Sequence, residues 1–184
     1  MNRDSRQVLT EWLVLKAQRG DDRAFSDLYE LWAGDLRRLA TVQVEHVRYA
    51  EEVAQDVWVT IARGLRRLND PACFPRWAFR ILDRRCADWI RRRQVDRRRA
   101  EVLAADKNNE PPDRVSSDSD DVIALREAIA RLEPESRKLL HLFYEVGFST
   151  TEIAEVLGVP PGTVKSRLFK VRETLKNQIE RIKI

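Results

Sequence analysis

Cysteine and histidine are scarce in this chain: Cys73, Cys86, His46 and His141 are the whole supply among 184 residues. The two cysteines lack C-x-x-C spacing and have no histidine beside them, which excludes a disulfide framework and a zinc site as organising features. Long apolar runs are lacking too. No stretch approaches the roughly 20 apolar residues that span a bilayer. The opening "MNRDSRQVLTEWLVLKAQ" has no uninterrupted apolar core of the signal-peptide kind. A soluble, cytoplasmic chain without membrane insertion is therefore expected. β-Alternating runs of useful length are missing as well, which leaves helices to build the core.

Charge, by contrast, is abundant and segregated. Lysine and arginine number 34 against 30 aspartates and glutamates, for a net charge of +4. Between Asp83 and Arg99 stand eight arginines and three aspartates, whereas 104–121 carries six acids and two bases. Such separation favours a polyanionic partner for the basic part. No cofactor and no small-molecule substrate are implied.

Apolar residues, 43% of the chain, are enough to support one ordinary domain or two small ones. They recur at three and four. Phe25, Leu28, Trp32, Leu36 and Leu39 form one stripe, opened by Asp21 and Asp22, which suit a helix N-terminus. Ala54, Val57, Trp58, Ile61, Leu65 and Leu68 form a second, broken by the two prolines of "LNDPACFP". A third runs from about Arg76 to Arg93 with Trp77, Ile81, Leu82 and Trp89. The reading is all-α: a helical domain over 1–96, a flexible acidic linker over 97–121, and a second small helical domain over 122–184.

In the second domain Leu125, Ile129 and Leu132 make one stripe, and Pro134 opens a helix bearing Leu139, Leu140, Leu142 and Phe143 that Gly147 closes. "STTE" then reads as a capping box between Ser149 and Glu152, ahead of Ile153, Ala154 and Leu157. Gly158 stops that helix and Pro161 starts another. A capped short helix, a glycine turn and a longer second helix make a helix-turn-helix, whose second helix enters a DNA major groove. Val164, Leu168, Val171 and Leu175 face inward. Thr163, Lys165, Ser166, Arg167, Phe169 and Lys170 are left outward, mixing phosphate-binding bases with groups that can touch base edges. A single such module usually needs a symmetric partner, and nothing reads as a dimerisation coil, so another anchor is required.

That anchor is sought in 74–93, where Phe74, Trp77, Phe79 and Trp89 are interleaved with Arg76, Arg80, Arg84, Arg85 and Arg91–Arg93. Aromatics stack on unpaired bases while arginines follow phosphates, a composition suited to single-stranded DNA. Trp77 and Trp89 also lie on the helical stripe, so core and platform both remain open for them. Glu51, Glu52, Gln55 and Asp56 fall on the face opposite the second stripe. They could mate with a basic protein surface or remain a solvated face. A free-standing repressor and a metal-dependent nuclease using Glu51, Glu52 and Asp56 are the rival readings.

"EIAEVLGVPPGTVKSRLFKVRETL", together with "AEEVAQDVW" and "FPRWAFRILDRRCADWIRRR" in that order, resembles bacterial RNA polymerase sigma factors of the extracytoplasmic-function (ECF) group. The resemblance implies a promoter-specificity subunit. Glu51, Glu52, Gln55 and Asp56 would dock on the β′ clamp of core polymerase. Asn69 to Trp77, with Arg80, Arg84 and Arg85, would open the minus-ten element and capture a flipped base. Thr163, Lys165, Ser166, Arg167, Phe169 and Lys170 would read the minus-thirty-five element, and the helix around Leu139–Phe143 would lie near the β flap. Promoter DNA, double-stranded and melted, core RNA polymerase and an anti-sigma factor are the implied partners.

Overall fold

Helix is the outcome wherever apolar residues recur at three and four, and the computed structural model, which describes residues 3–44, 46–101 and 120–182, shows no strand among them. Its helices are α1 (Arg3–Gln18), α2 (Asp22–Val44), α3 (Val47–Gly64), α4 (Phe74–Glu101), α5 (Asp120–Ala130), α6 (Pro134–Leu140), α7 (Thr150–Leu157) and α8 (Pro161–Ile182). They fall into two compact units. The first holds α1 to α4, and the second holds α5 to α8 less Glu155–Leu157.

In the first unit α2 packs on both α1 and α3, and α4 closes the bundle against α2 and α3. The expected stripes supply the core: Leu28, Trp32, Leu36 and Leu39 from α2, Val57, Trp58 and Ile61 from α3, Leu82 and Cys86 from α4. Asp21 accepts from the Ala24 backbone N–H at 3.1 Å and so starts α2. Helix α1 adds Leu13 and Val14 to this core. It is held to α2 by a polar network. Arg6 lies over the Trp32 ring at 3.7 Å, donates to the Leu31 carbonyl at 2.7 Å and pairs with the buried Asp35, which also pairs with Arg38. The Trp32 indole N–H donates to Thr10 at 3.1 Å. Asp35 is thus paired by two arginines, the condition under which a buried carboxylate is tolerated.

Two expectations change here. Phe74 and Phe79 have no exposed surface. They are core residues, because the start of α4 points them inward against α2 and α3, and neither offers a face to a base. Helix α4 also continues to Glu101, past the expected linker start at 97, because arginine, alanine and glutamate are strong helix formers without any apolar period. Helix α5 begins at Asp120, and the remainder of the expected linker, 102–119, lies outside the described residues.

The second unit packs α5 and α6 on α8. Leu132, Leu140 and Val171 form one buried cluster, with Ile129 and Leu175 against it. Leu125 does not join its predicted stripe: it is 40% exposed, while Ala124 and Ala128 are buried. Small side chains on this face let α5 approach α8 closely. Pro134 opens α6 as predicted, but the segment ends in a five-residue π-helical turn, His141–Glu145. Gly147 follows at φ 81°, and the Phe148 N–H donates to the Leu142 carbonyl at 3.0 Å. A β-carbon is rarely tolerated at that φ, which explains the glycine.

Candidate nucleic-acid interface

The two successive helices α7 and α8 are built by local signals that agree with one another. Ser149 accepts from the Glu152 N–H at 3.2 Å and Glu152 accepts from the Ser149 N–H at 2.8 Å, completing the capping box of α7. Gly158 ends α7 in the left-handed region at φ 66° and donates its N–H to Ala154. Pro161 then sets the first turn of α8, with the Pro160 carbonyl accepting from the Thr163 N–H at 2.9 Å. Val164, Leu168 and Val171 are buried, Leu175 half so, and Ile153 and Ala154 of α7 are buried as well.

That burial fixes the rotation of α8 and sends a basic face to solvent. Lys165, Ser166, Arg167, Phe169 and Lys170 are all exposed, Thr163 partly, and Phe169 is 68% exposed. An aromatic side chain held in water beside two lysines and an arginine costs apolar hydration unless something covers it. The helix around Leu139–Phe143 presents less than expected, since Leu139, Leu140 and Leu142 are buried. Its outward surface is Phe143 and Tyr144, with the Arg172 guanidinium 5.2 Å and 5.6 Å from the two rings and donating to the Tyr144 hydroxyl at 2.8 Å.

In the first unit α3 gives way to a 3-10 turn, Leu65–Arg67, three connecting residues of which Leu68 and Asp70 are extended, and a second 3-10 turn, Pro71–Cys73. Asp70 caps the second turn, accepting from the Ala72 N–H at 3.0 Å. The Cys73 thiol donates to Asp70 at 3.1 Å, and the Arg76 guanidinium donates to the Cys73 sulfur at 3.0 Å. These bonds hold the Asp70 carboxyl below its ordinary range, the thiol contributing most and the Ala72 N–H next. The same carboxylate, followed by burial, raises the Cys73 thiol above its ordinary range, so the group stays protonated.

Between these turns and α4 opens a cleft of about 490 Å³ lined by Gly64, Arg67, Leu68, Asn69, Asp70, Cys73 and Trp77. Trp77 is half-buried and belongs to this wall. Trp89 instead stacks at 5.0 Å from Tyr49, with Arg93 over both rings. Asn69, Arg80 and Arg84 are exposed, Arg76 is half-buried, and Arg85 donates to the Thr60 hydroxyl at 2.9 Å. Gly64 and Arg67 were not anticipated. An isolated glycine inside the helical stripe is the signal that could have found the first, since a β-carbon there would sit 2.9 Å from the Trp77 ring.

On α3, Glu51, Glu52, Gln55 and Asp56 are exposed together, opposite Val53, Ala54, Val57 and Trp58. Arg48 lies 3.9 Å from Glu52. Among the described residues no three histidines, cysteines, aspartates or glutamates gather as a metal site would require. Among the same residues no helix is long and apolar enough to cross a membrane, and both cysteines are free.

Comparison with known proteins covers nearly the whole chain. The family model described as "ECF sigma factor" matches residues 6–181. The chain is 28% identical over 184 residues to the RNA polymerase sigma-H factor of Pseudomonas aeruginosa, covering 95% of each. It is 30% identical over 156 residues to the ECF RNA polymerase sigma factor SigM of Mycobacterium tuberculosis, covering 85% of this chain and 77% of that relative. Among solved structures, the co-crystal of the sigma factor RpoE with the anti-sigma factor NepR from Bartonella quintana has a chain matching at a TM-score of 0.70 and 22% identity, over 85% of this chain and 96% of that one. That likeness speaks to the fold.

Proposed function

Because the chain belongs to the ECF sigma factor family, we propose that it is the promoter-specificity subunit of a bacterial RNA polymerase and that its three exposed surfaces divide that work. The acidic face of α3, with Glu51, Glu52, Gln55 and Asp56, docks on a basic surface of core polymerase, the β′ clamp by family likeness. The outward face of α8, with Thr163, Lys165, Ser166, Arg167, Phe169 and Lys170, reads the upstream promoter element. The cleft beside Asn69 and Trp77 receives a base extruded from the downstream element, while Arg76, Arg80, Arg84 and Arg85 follow the phosphates of the opened strand. Phe74 supports that region from within the core.

The observation that carries this reading is the pairing of two exposed features on one chain: the basic outward face of α8 and the open cleft beside Asn69 and Trp77. Each is weak by itself. Mounted together on a polymerase, the second contact becomes intramolecular, with a high effective concentration. Base extrusion costs a few kcal/mol and is offset by contacts in the cleft. No covalent chemistry by this chain is needed. An anti-sigma factor, the partner of RpoE in that co-crystal, is a natural antagonist, since covering either surface would silence the pair. The segment between α4 and α5 would tether the two domains.

Run-off transcription with core polymerase on a randomised promoter library tests the reading, with promoter binding by the chain alone as the control. A sigma subunit initiates at a defined class of promoters and needs the core enzyme, whereas a free-standing repressor binds its duplex tightly without it. Replacing Lys165 and Lys170 by alanine removes two phosphate contacts. It should weaken upstream-element binding uniformly across sequences and flatten the slope of log affinity against log salt by roughly 2. An unchanged slope would remove α8 from the interface.

A further inference from the structure

We propose that α1 is the brace that shapes the base-receiving cleft, and that Gln18 and Gln7 are positioning residues for strand opening; the inference rests on the function proposed above. Gln18 Nε2 donates to two loop carbonyls, Leu65 at 2.9 Å and Leu68 at 2.7 Å. Gln7 Nε2 donates to the Ala72 carbonyl at 3.1 Å, and also to Glu11 at 2.9 Å. The two glutamines stand eleven residues apart on α1, about three helical turns, and so lie on one face. That face meets both 3-10 turns.

The consequence is geometric. The outgoing arm of the loop is bolted at Leu65 and Leu68, the returning arm at Ala72, and the residues between, Asn69 and Asp70, are exposed. From inside the loop, Cys73 links Arg76 to Asp70. Leu68, Asn69, Asp70 and Cys73 form much of the cleft wall, so the separation of the two arms sets its width. Neither glutamine lines the cleft. Both act through backbone carbonyls, which makes the brace independent of the side chains that meet the base. Carbonyls accept and never donate, so only the amide end of a glutamine fits; a carboxylate of the same shape would face two oxygens with no proton to share.

The test follows from that polarity. Gln18→Glu keeps the shape and removes both donors, whereas Gln18→Lys removes the amide and keeps donors able to reach the two carbonyls. Open-complex formation is read with 2-aminopurine at each position of the downstream element, using the full chain with saturating core polymerase on a promoter the parent opens. Core affinity and thermal melting are measured in parallel. Gln18→Glu is expected to lower opening roughly ten-fold and to flatten the preference for the extruded base, at unchanged core affinity, while Gln18→Lys restores most of both. Adding Gln7→Glu should deepen the loss.

The proposal is overturned if Gln18→Glu opens the template and ranks the bases as the parent does. It is equally overturned if the Glu and Lys variants lose opening alike, or if opening falls only in proportion to core binding, since each outcome makes Gln18 a general packing residue. A parent chain that binds core yet opens no template fails at the function itself, and the brace falls with it.

Discussion

The two surfaces proposed to meet nucleic acid are built in opposite ways. On α8 one helix carries every residue proposed to read the upstream element, and its rotation is fixed by the burial of Val164, Leu168 and Val171. The cleft beside Trp77 belongs to no single element. It draws on the end of α3, two short turns, the start of α4 and, from behind, the glutamines of α1. A helix face keeps its shape whenever the helix forms and packs, whereas a cleft made of loop keeps its shape only while several tertiary hydrogen bonds persist. Substitutions remote from DNA should therefore damage the cleft more readily than the α8 face.

The sharpest way to break that contrast is Asp35→Ala. The carboxylate is buried, and α1 is anchored to α2 through its pairing with Arg6. Removing the carboxylate leaves the partly exposed Arg6 with the Leu31 carbonyl and the Trp32 ring, and losing a charge-assisted hydrogen bond of this kind costs about 1.5–3 kcal/mol. The expected outcome is a lower melting temperature, with weakened strand opening and upstream-element binding nearly unchanged when assayed well below the transition. Equal loss at both sites would show that they share one stability and that the difference in construction has no functional weight.

A smaller and more local change is Gly64→Ala. The added β-carbon would lie 2.9 Å from Cζ2 and 3.3 Å from Cη2 of Trp77, so the ring must move. Overpacking of this kind costs about 1–3 kcal/mol, partly offset by the better helix propensity of alanine. Because Trp77 is a wall of the cleft, base preference should shift even where stability barely changes. Melting curves and 2-aminopurine fluorescence on the same variant separate the two effects; a displaced ring with an unaltered preference would remove Trp77 from the site.

The same contrast explains what could be read in advance. Helix α8 was legible because its signals are local: the Ser149–Glu152 box, Gly158, Pro161 and the four–three–four apolar spacing all concern neighbours in sequence. So was the acidic face of α3, which the stripe from Ala54 to Ile61 forces outward. Segment 122–132 was ambiguous because its apolar residues fit two faces; contact with α8 favoured Ala124 and Ala128 and left Leu125 outside. In 74–93, composition could not distinguish an aromatic that stacks on a base from one that fills a core, and Phe74 and Phe79 proved to be the latter. The bracing of the loop by Gln7 and Gln18 has no sequence signature at all. An amide reaching a backbone carbonyl 50 residues away depends wholly on how α1 packs.

The mildest prediction probes the interior of the loop. The Asp70 carboxylate accepts the Cys73 proton and raises the thiol above its ordinary range, so contact between them favours the protonated sulfur. With a folded-state value raised, the stabilising effect is present below the ordinary thiol range, near ~8.5, and is lost as pH climbs through the raised value. Alkylation of Cys73 by iodoacetamide, followed by mass spectrometry, should accordingly be slow at neutral pH and accelerate only at pH above that of a free thiol. Asp70→Asn retains a capping side chain but removes the charge, and should move the rate profile to lower pH. Cys86 is buried and serves as the internal control. If both profiles coincide, the thiol is not held by Asp70, and the loop owes its shape to α1 and backbone bonds alone, which would make the contrast with α8 depend still more heavily on Gln18.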